Sequence, residues 1–403
     1  MNFGLRLKLS IMMVLQYAVW GAWAVPLASY MSGPLGFDGA SVGWVYSTTA
    51  IAAIISPFFI GMVADRYFST ERCLGVFHLI GALFLYLASK TGSGEVTYLF
   101  SIMLLYSLCY MPTIALTNSL SFRNMSKPDQ QFPGVRVFGT IGWILIGWVI
   151  GFKLFGLEEI SAQPLLMASG LSVALGIFCF FLPHTPPMET ASDVLGILTK
   201  PLGMLKDKAF AIFVVVSFLI SIVLAFYYQH GEPFPPCHRG SQPAGASDHR
   251  PADGNDPAAI PALVHLPPRH PLDHHDRHGG LVYPLSDFST GSVWPVALIG
   301  LPLHGVCFDF FFVTSQIYVD EESPDDIRAS AQGFLALVTL GLGMFIGNLL
   351  AGSTVDSATV DGVINWTKVW LVPFGGAFLS VVLFLIFFRE PVRKNNRKHD
   401  LCC

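Results

Sequence analysis

A chain of 403 residues with 53% hydrophobic and only 12% charged side chains carries about half the charge of a soluble domain, and its mean hydropathy is +0.56. The formal net charge of −4 says little, because where Lys and Arg fall matters more than their sum. Seven scattered Cys form no spaced ligand pair, and no phosphate loop, catalytic triad or zinc motif stands out, so we expect no enzyme, no cofactor and no nucleic-acid partner.

Apolar stretches long enough to cross a bilayer predict helices at 9–31, 41–63, 73–89, 97–119, 135–155, 164–182, 209–229, 293–319, 329–352 and 369–388. The first is too long for a signal peptide and lacks a small-residue cleavage site, so it reads as an uncleaved first helix. Lys and Arg set the orientation. Arg6, Lys8, Arg66, Arg72, Arg123, Lys127, Lys200, Lys206 and Lys208 fall on one side, with the basic tail at 391–403, whereas only Lys90, Lys153 and Lys368 face the other. Both termini are therefore expected in the cytoplasm.

The longest polar connection of the first half follows the sixth span. The layout expected is a six-helix half (1–184), a cytoplasmic linker (185–208) and a second half (209–390). The second half shows four helices instead of six. Where two are missing, residues 235–290 hold seven of the twelve His and ten of the 27 Pro, without a Lys or Glu.

Two readings of that stretch compete. His274, His275 and His278 suit a metal-binding loop, although ten Pro and six Asp without order argue against a built site. Alternatively the stretch is out of frame. Taking the last two bases of each codon with the first base of the next, Pro235 to Gly240 permits Leu-His-Ala-Ile-Gly. His249 to Asp256 then permits Ile-Gly-Gln-Leu-Met-Glu-Met, and His278 to Val282 permits Met-Val-Ala-Trp. One offset recovers apolar sequence throughout, and its length suits two helices and a loop.

Within the spans, charged side chains are costly unless they face a cavity or a partner. Gly61, Asp65 and Arg66, followed by Arg72, close the second span and resemble the gating-loop signature of the major facilitator superfamily. Arg136, near the start of the fifth span, faces either a polar cavity or the membrane interface. Asp309, enclosed by Phe308 and Phe310, is the acid of its span and a candidate for proton exchange, or a structural hydrogen-bonded Asp. Tyr227, Tyr228, Gln229 and His230 close the seventh span. Gln16, Trp20 and Trp23 share one face of the first, where the Trp pair reads equally as site residues or as interface anchors.

Trp20-Gly21-Ala22-Trp23, Phe37 to Ser41, Val135 to Gly142, Cys307 to Phe311 and Arg328 to Gly333 together resemble bacterial nucleoside permeases, the nucleoside:proton symporters of the major facilitator superfamily. The resemblance implies an all-α membrane protein of two six-helix halves, with helices 8 and 9 displaced here by the anomalous stretch. It implies a monomeric inner-membrane importer of nucleosides such as uridine or adenosine, driven by a proton through alternating access.

By the same resemblance, Arg136, Thr140 and Trp143 contact the nucleoside, as do His304, Phe308 and Asp309, with Asp309 also carrying the proton. Tyr228 and Gln229 add contacts that differ from the family's, since positions matching Ala225 and Tyr228 are polar amides in its best-known member. The family's Gln and Glu, three residues apart on helix 8, are absent as written. The shifted frame permits them across Pro251–Ala252 and Gly254–Asn255. A sugar or polyol symporter, a metal-responsive membrane sensor and an inactive product of a shifted frame are the competing readings.

Overall fold

The computed structural model describes residues 2–59, 68–186, 201–230, 315–316, 318–319, 321–324 and 327–388. Its elements follow from apolar runs cut by Pro, Gly and caps. Asn2 accepts a hydrogen bond from Leu5 N (2.8 Å) and starts α1, Phe3–Ala24, a turn and a half earlier than hydropathy places it. Pro26 lacks an N–H to continue the ladder. The predicted first helix therefore breaks there into α1 and α2 (Pro26–Ser32), which together form one span.

Then come α3 (Gly39–Phe59), α4 (Thr70–Ala88), α5 (Val96–Arg123), α6 (Pro133–Gly151) and α7 (Gln163–Phe178). The second half contributes α8 (Lys208–His230), α9 (Arg328–Ala336), a π-helical stretch Leu337–Gly343, α10 (Met344–Ala358) and α11 (Trp366–Phe387). A two-residue hairpin pairs Val360 with Val363 between α10 and α11. Asp361 and Gly362 hold positive φ at its turn, as a tight antiparallel hairpin requires.

Nine helices among the described residues are long and apolar enough to cross a membrane. They correspond to nine of the ten predicted spans, and nearly all of the tenth, 293–319, lies outside the described residues. Outward faces stay apolar: Trp148 of α6 and Phe374, Phe378 and Leu385 of α11 are exposed, the arrangement a lipid solvent favours.

In the first half α1 packs on α6 and α7, and α4 packs on α5 and α7. Its core holds Trp23, Leu27, Met31, Leu85, Leu99, Met103, Tyr106 and Tyr110. In the second half α8 packs on α10 and α11. The halves meet where α3 lies along α10.

That junction is a backbone contact. A Cβ on Gly352 would sit 2.1 Å from Gly39 O, and one on Gly43 would sit 2.4 Å from Asn348 O. Asp356 of α10 accepts from Gly39 N and Ala40 N, both at 2.7 Å, while Asp38 accepts from Ser41 N at 2.8 Å. Carboxylates from both halves thus occupy amides that the α3 helix leaves unpaired at its start. The Ser41 hydrogen bonds hold the Asp38 carboxyl below the usual carboxylate range.

Candidate functional site

Arg136, Thr140 and Trp143 lie one turn apart along α6, so 3.6-residue periodicity puts them on one stripe. All three are half-buried. The Arg136 guanidinium stands 4.2 Å from the centroid of the Tyr17 ring on α1, a cation–π contact. Gly139 makes room for it: a Cβ there would meet Tyr17 Cδ2 at 2.6 Å and Arg136 Nη1 at 2.7 Å.

One turn up α1, Trp20 is the hub of an aromatic crevice. Its ring meets Trp143 edge to face (5.6 Å, 87°) and stacks on Tyr228 of α8 (6.0 Å, 18°). Tyr228 also meets Trp143 at 6.1 Å, and Tyr110 of α5 reaches Trp20 at 6.1 Å. Four helices, one of them from the second half, therefore bring aromatic faces together. Half-buried Tyr17, Trp20, Trp143 and Tyr228 leave part of those faces open. Such a surface stacks planar rings, while the Arg136 cation and the Thr140 hydroxyl offer hydrogen bonds at one end.

Other residues singled out in the sequence fall elsewhere. Gln229 is buried and turned from the crevice, donating to Asn348 O and Oδ1 of α10, both at 3.0 Å. His230 stacks edgewise on Trp366 at 5.7 Å. Arg72 is exposed on the first turn of α4. Gly61, Asp65, Arg66, His274, His275, His278, His304, Phe308 and Asp309 lie outside the described residues.

Trp20 and Trp23, alike in sequence, part company. Trp23 is buried and donates from Nε1 to Tyr106 Oη at 2.9 Å, whereas Trp20 lines the crevice. Neither is an interface anchor. Sequence reasoning missed Tyr17 and Tyr110; the Tyr17–Trp20 spacing carried a signal for the first, and nothing local did for the second.

A separate cavity of about 480 Å³ opens among Lys208, Ala209, Ile386 and Phe387. It sits at the start of α8, some twenty residues and therefore roughly 30 Å from Tyr228, and lacks stacking partners from the first half.

The family model of the nucleoside H+ symporters matches residues 1–238 and 272–393. YegT of Escherichia coli K12 is 36% identical over 408 residues, covering 95% of this chain and 93% of its own. The xanthosine permease of the same organism is 32% identical, with 99% of each chain covered. The crystal structure of the nucleoside transporter NupG superposes with a TM-score of 0.72 at 26% identity, over 97% of this chain and 100% of that one. At 10% identity, a bacterial homologue of the lysosomal transporter Spinster shares the fold, with a TM-score of 0.59.

Proposed function

Because this chain belongs to the nucleoside H+ symporter family, we propose that its aromatic crevice receives a nucleoside whose import is driven by a proton. The observation that carries this reading is the Trp20–Trp143–Tyr228 arrangement, which offers a nucleobase stacking faces from both halves. Arg136 and Thr140 bind the nucleoside's polar atoms. Tyr228 closes the crevice from α8, and Gln229 acts through Asn348. His304, Phe308 and Asp309 complete the site, with Asp309 as the coupling carboxylate. Gly61, Asp65, Arg66 and Arg72 gate the cytoplasmic face. The halves span 1–184 and 209–390 and rock about this site in the inner membrane, as a monomer with both termini cytoplasmic.

The test is uptake of labelled uridine by the purified full-length chain in proteoliposomes, with an acid-outside gradient. Adenosine, xanthosine and a panel of sugars serve as competitors. Competition by nucleosides and collapse with a protonophore are expected. Competition by sugars alone sinks the nucleoside reading in favour of a polyol carrier.

Trp20→Ala removes a stacking face worth about 1–3 kcal/mol, so half-saturation should rise roughly 5- to 150-fold, while Trp20→Phe retains most of the affinity. An unchanged half-saturation in Trp20→Ala would move the substrate away from this crevice.

Residues 235–290 are read here as an out-of-frame segment. In support, the family match breaks after residue 238 and resumes at 272, inside that stretch. Resequencing codons 230–295 from source DNA decides it. Compensating single-base errors that restore Gln-x-x-Glu support the reading. A confirmed printed sequence means that no transport is expected of this copy, and metal binding by the segment is tested next.

A further inference from the structure

Beside the crevice lies a buried polar cluster that is not part of the aromatic site described above. His78 of α4 is held between Gln16 of α1 and Ser172 of α7: Nε2 lies 2.8 Å from Gln16 Oε1, and Nδ1 lies 3.1 Å from Ser172 Oγ. All three side chains are buried.

The surrounding bonds limit which atoms can hold hydrogens. Thr113 Oγ1 gives its proton to Tyr110 O, so it can only accept from Gln16 Nε2, at 2.8 Å. That leaves Gln16 Oε1, an acceptor, facing His78 Nε2. On the other side Ser172 Oγ donates to His78 O at 2.8 Å, leaving it an acceptor for Nδ1. With the hydroxyl so turned, both ring nitrogens face acceptors, which accommodates an imidazolium with two N–H donors; turned to Nδ1 instead, the hydroxyl suits the neutral ring.

We infer that His78 is a second proton-binding site of the carrier, in the first half and separate from Asp309. The inference rests on the proton-symport reading above.

The cage serves both protonation states. In the neutral ring Nε2–H donates to Gln16 and the Ser172 hydroxyl turns to donate to Nδ1. When the cage opens and a hydronium ion gives its proton to the Nδ1 lone pair, water leaves, Nδ1–H donates to Ser172 Oγ, and the hydroxyl turns to His78 O. One hydroxyl rotation completes the exchange. Hydrogen bonds to both N–H donors lower the cost of a charge inside the helix bundle.

Among the described residues no carboxylate bonds to His78. Tyr106, Cys109 and Tyr110 are the titratable groups that α5 turns towards α4, and Cys179 packs near Gly75. Glu71, two turns along α4, is engaged by His184 and Thr185, and Arg136 stands over Tyr17. Without a counter-ion to trap it, the proton can leave when the cage loosens.

A link to the substrate is short. The Tyr110 ring lies edge-on to His78 (5.9 Å, 86°) and 6.1 Å from Trp20, and its hydroxyl donates to Gln16 O at 2.7 Å. Tyr110 and Gln16 thus join the cage both to the ring beside Trp20 and to the α1 backbone one turn away.

The test uses full-length protein in proteoliposomes and compares gradient-driven uridine accumulation with gradient-free uridine exchange across external pH. Wild-type protein that moves no uridine in either assay defeats the symport reading itself, before His78 is tested. Given an active wild type, His78→Gln is expected to cut accumulation tenfold or more and exchange far less, since exchange needs no net proton transfer. Ser172→Ala removes one acceptor of the charged ring and leaves the ring in place. The pH midpoint of uptake should then fall by about one unit, because the lost bond is stronger to the charged ring than to the neutral one. Should His78→Gln fail to fold, the Ser172→Ala midpoint decides. An unmoved midpoint, or equal loss of both assays in His78→Gln, makes the cluster structural and overturns the proposal.

Discussion

Gly352→Ala is expected to leave a folded, membrane-inserted protein that transports roughly 5- to 150-fold more slowly. The added Cβ falls 2.1 Å from Gly39 O and 2.9 Å from Gly39 C, backbone atoms that no rotamer change can move. α10 must then stand away from α3. Overpacking of this kind costs about 1–3 kcal/mol, or roughly 5- to 150-fold in the population of the state that makes the contact. Because α3 and α10 meet along this seam, the cost falls on the contact between them and not on the core around Trp23 and Tyr106.

The contact lies at the end of the bundle opposite the chain's N-terminus, since α1 and α2 cross once before α3 begins. In a cysteine-free background carrying Ser47→Cys, a buried position on α3, an impermeant maleimide should label the Gly352→Ala variant faster than its parent. Equal labelling together with unchanged transport would mean that α3 and α10 do not form a gate. Asp356→Ala should do much less. Its two amide partners give good geometry, but the carboxylate is exposed, and screened pairs of this kind contribute about 1 kcal/mol or less.

Gly142→Leu should prevent the first half from assembling. A Cβ at Gly142 would lie 2.3 Å from Val14 O and 2.8 Å from Val14 Cα, at the heart of the α1–α6 contact. Even Ala must part the helices, at a cost of about 1–3 kcal/mol. The same separation pulls Tyr17 and Trp20 from Arg136 and Trp143, so stability and substrate affinity fall together.

Thermal melting in detergent measures the first effect, and uridine half-saturation measures the second. Gly147→Ala on the same helix is the control, because nothing lies within 4 Å of its Cβ and the loss of a flexible residue makes it neutral or mildly stabilising. A Gly142→Leu protein that melts like its parent would show that the α1–α6 seam yields more readily than close backbone packing permits.

These two glycines illustrate what hydropathy leaves hidden. Both sit in apolar runs where Ala would score as well, and only the partner's backbone position distinguishes them from Gly147. Gln229 makes a related point. Next to Tyr228 in sequence, it turns about 100° round the helix and bonds Asn348 instead of facing the crevice. His78 carried no signal, since a lone His in an apolar span is not read as a proton site until Gln16 and Ser172, from two other helices, are seen around it.

Much of the protein was decided by the sequence alone. Solvent preference is a property each residue carries by itself, so the spans, their spacing and the basic-side asymmetry follow from composition along the chain. The match of several ordered motifs then specified the family, and Arg136, Thr140 and Trp143 fell on one stripe by helical periodicity.

What only the tertiary structure decided depends on neighbours far along the chain. Trp23 is occupied by Tyr106 while its near twin Trp20 is free to meet Tyr228, more than two hundred residues away. α3 and α10 touch because two glycine backbones meet, and His78 faces acceptors from two helices. Packing sums over pairs that no single segment contains, and that is why segment-by-segment reading reaches the helices and stops short of the contacts between them.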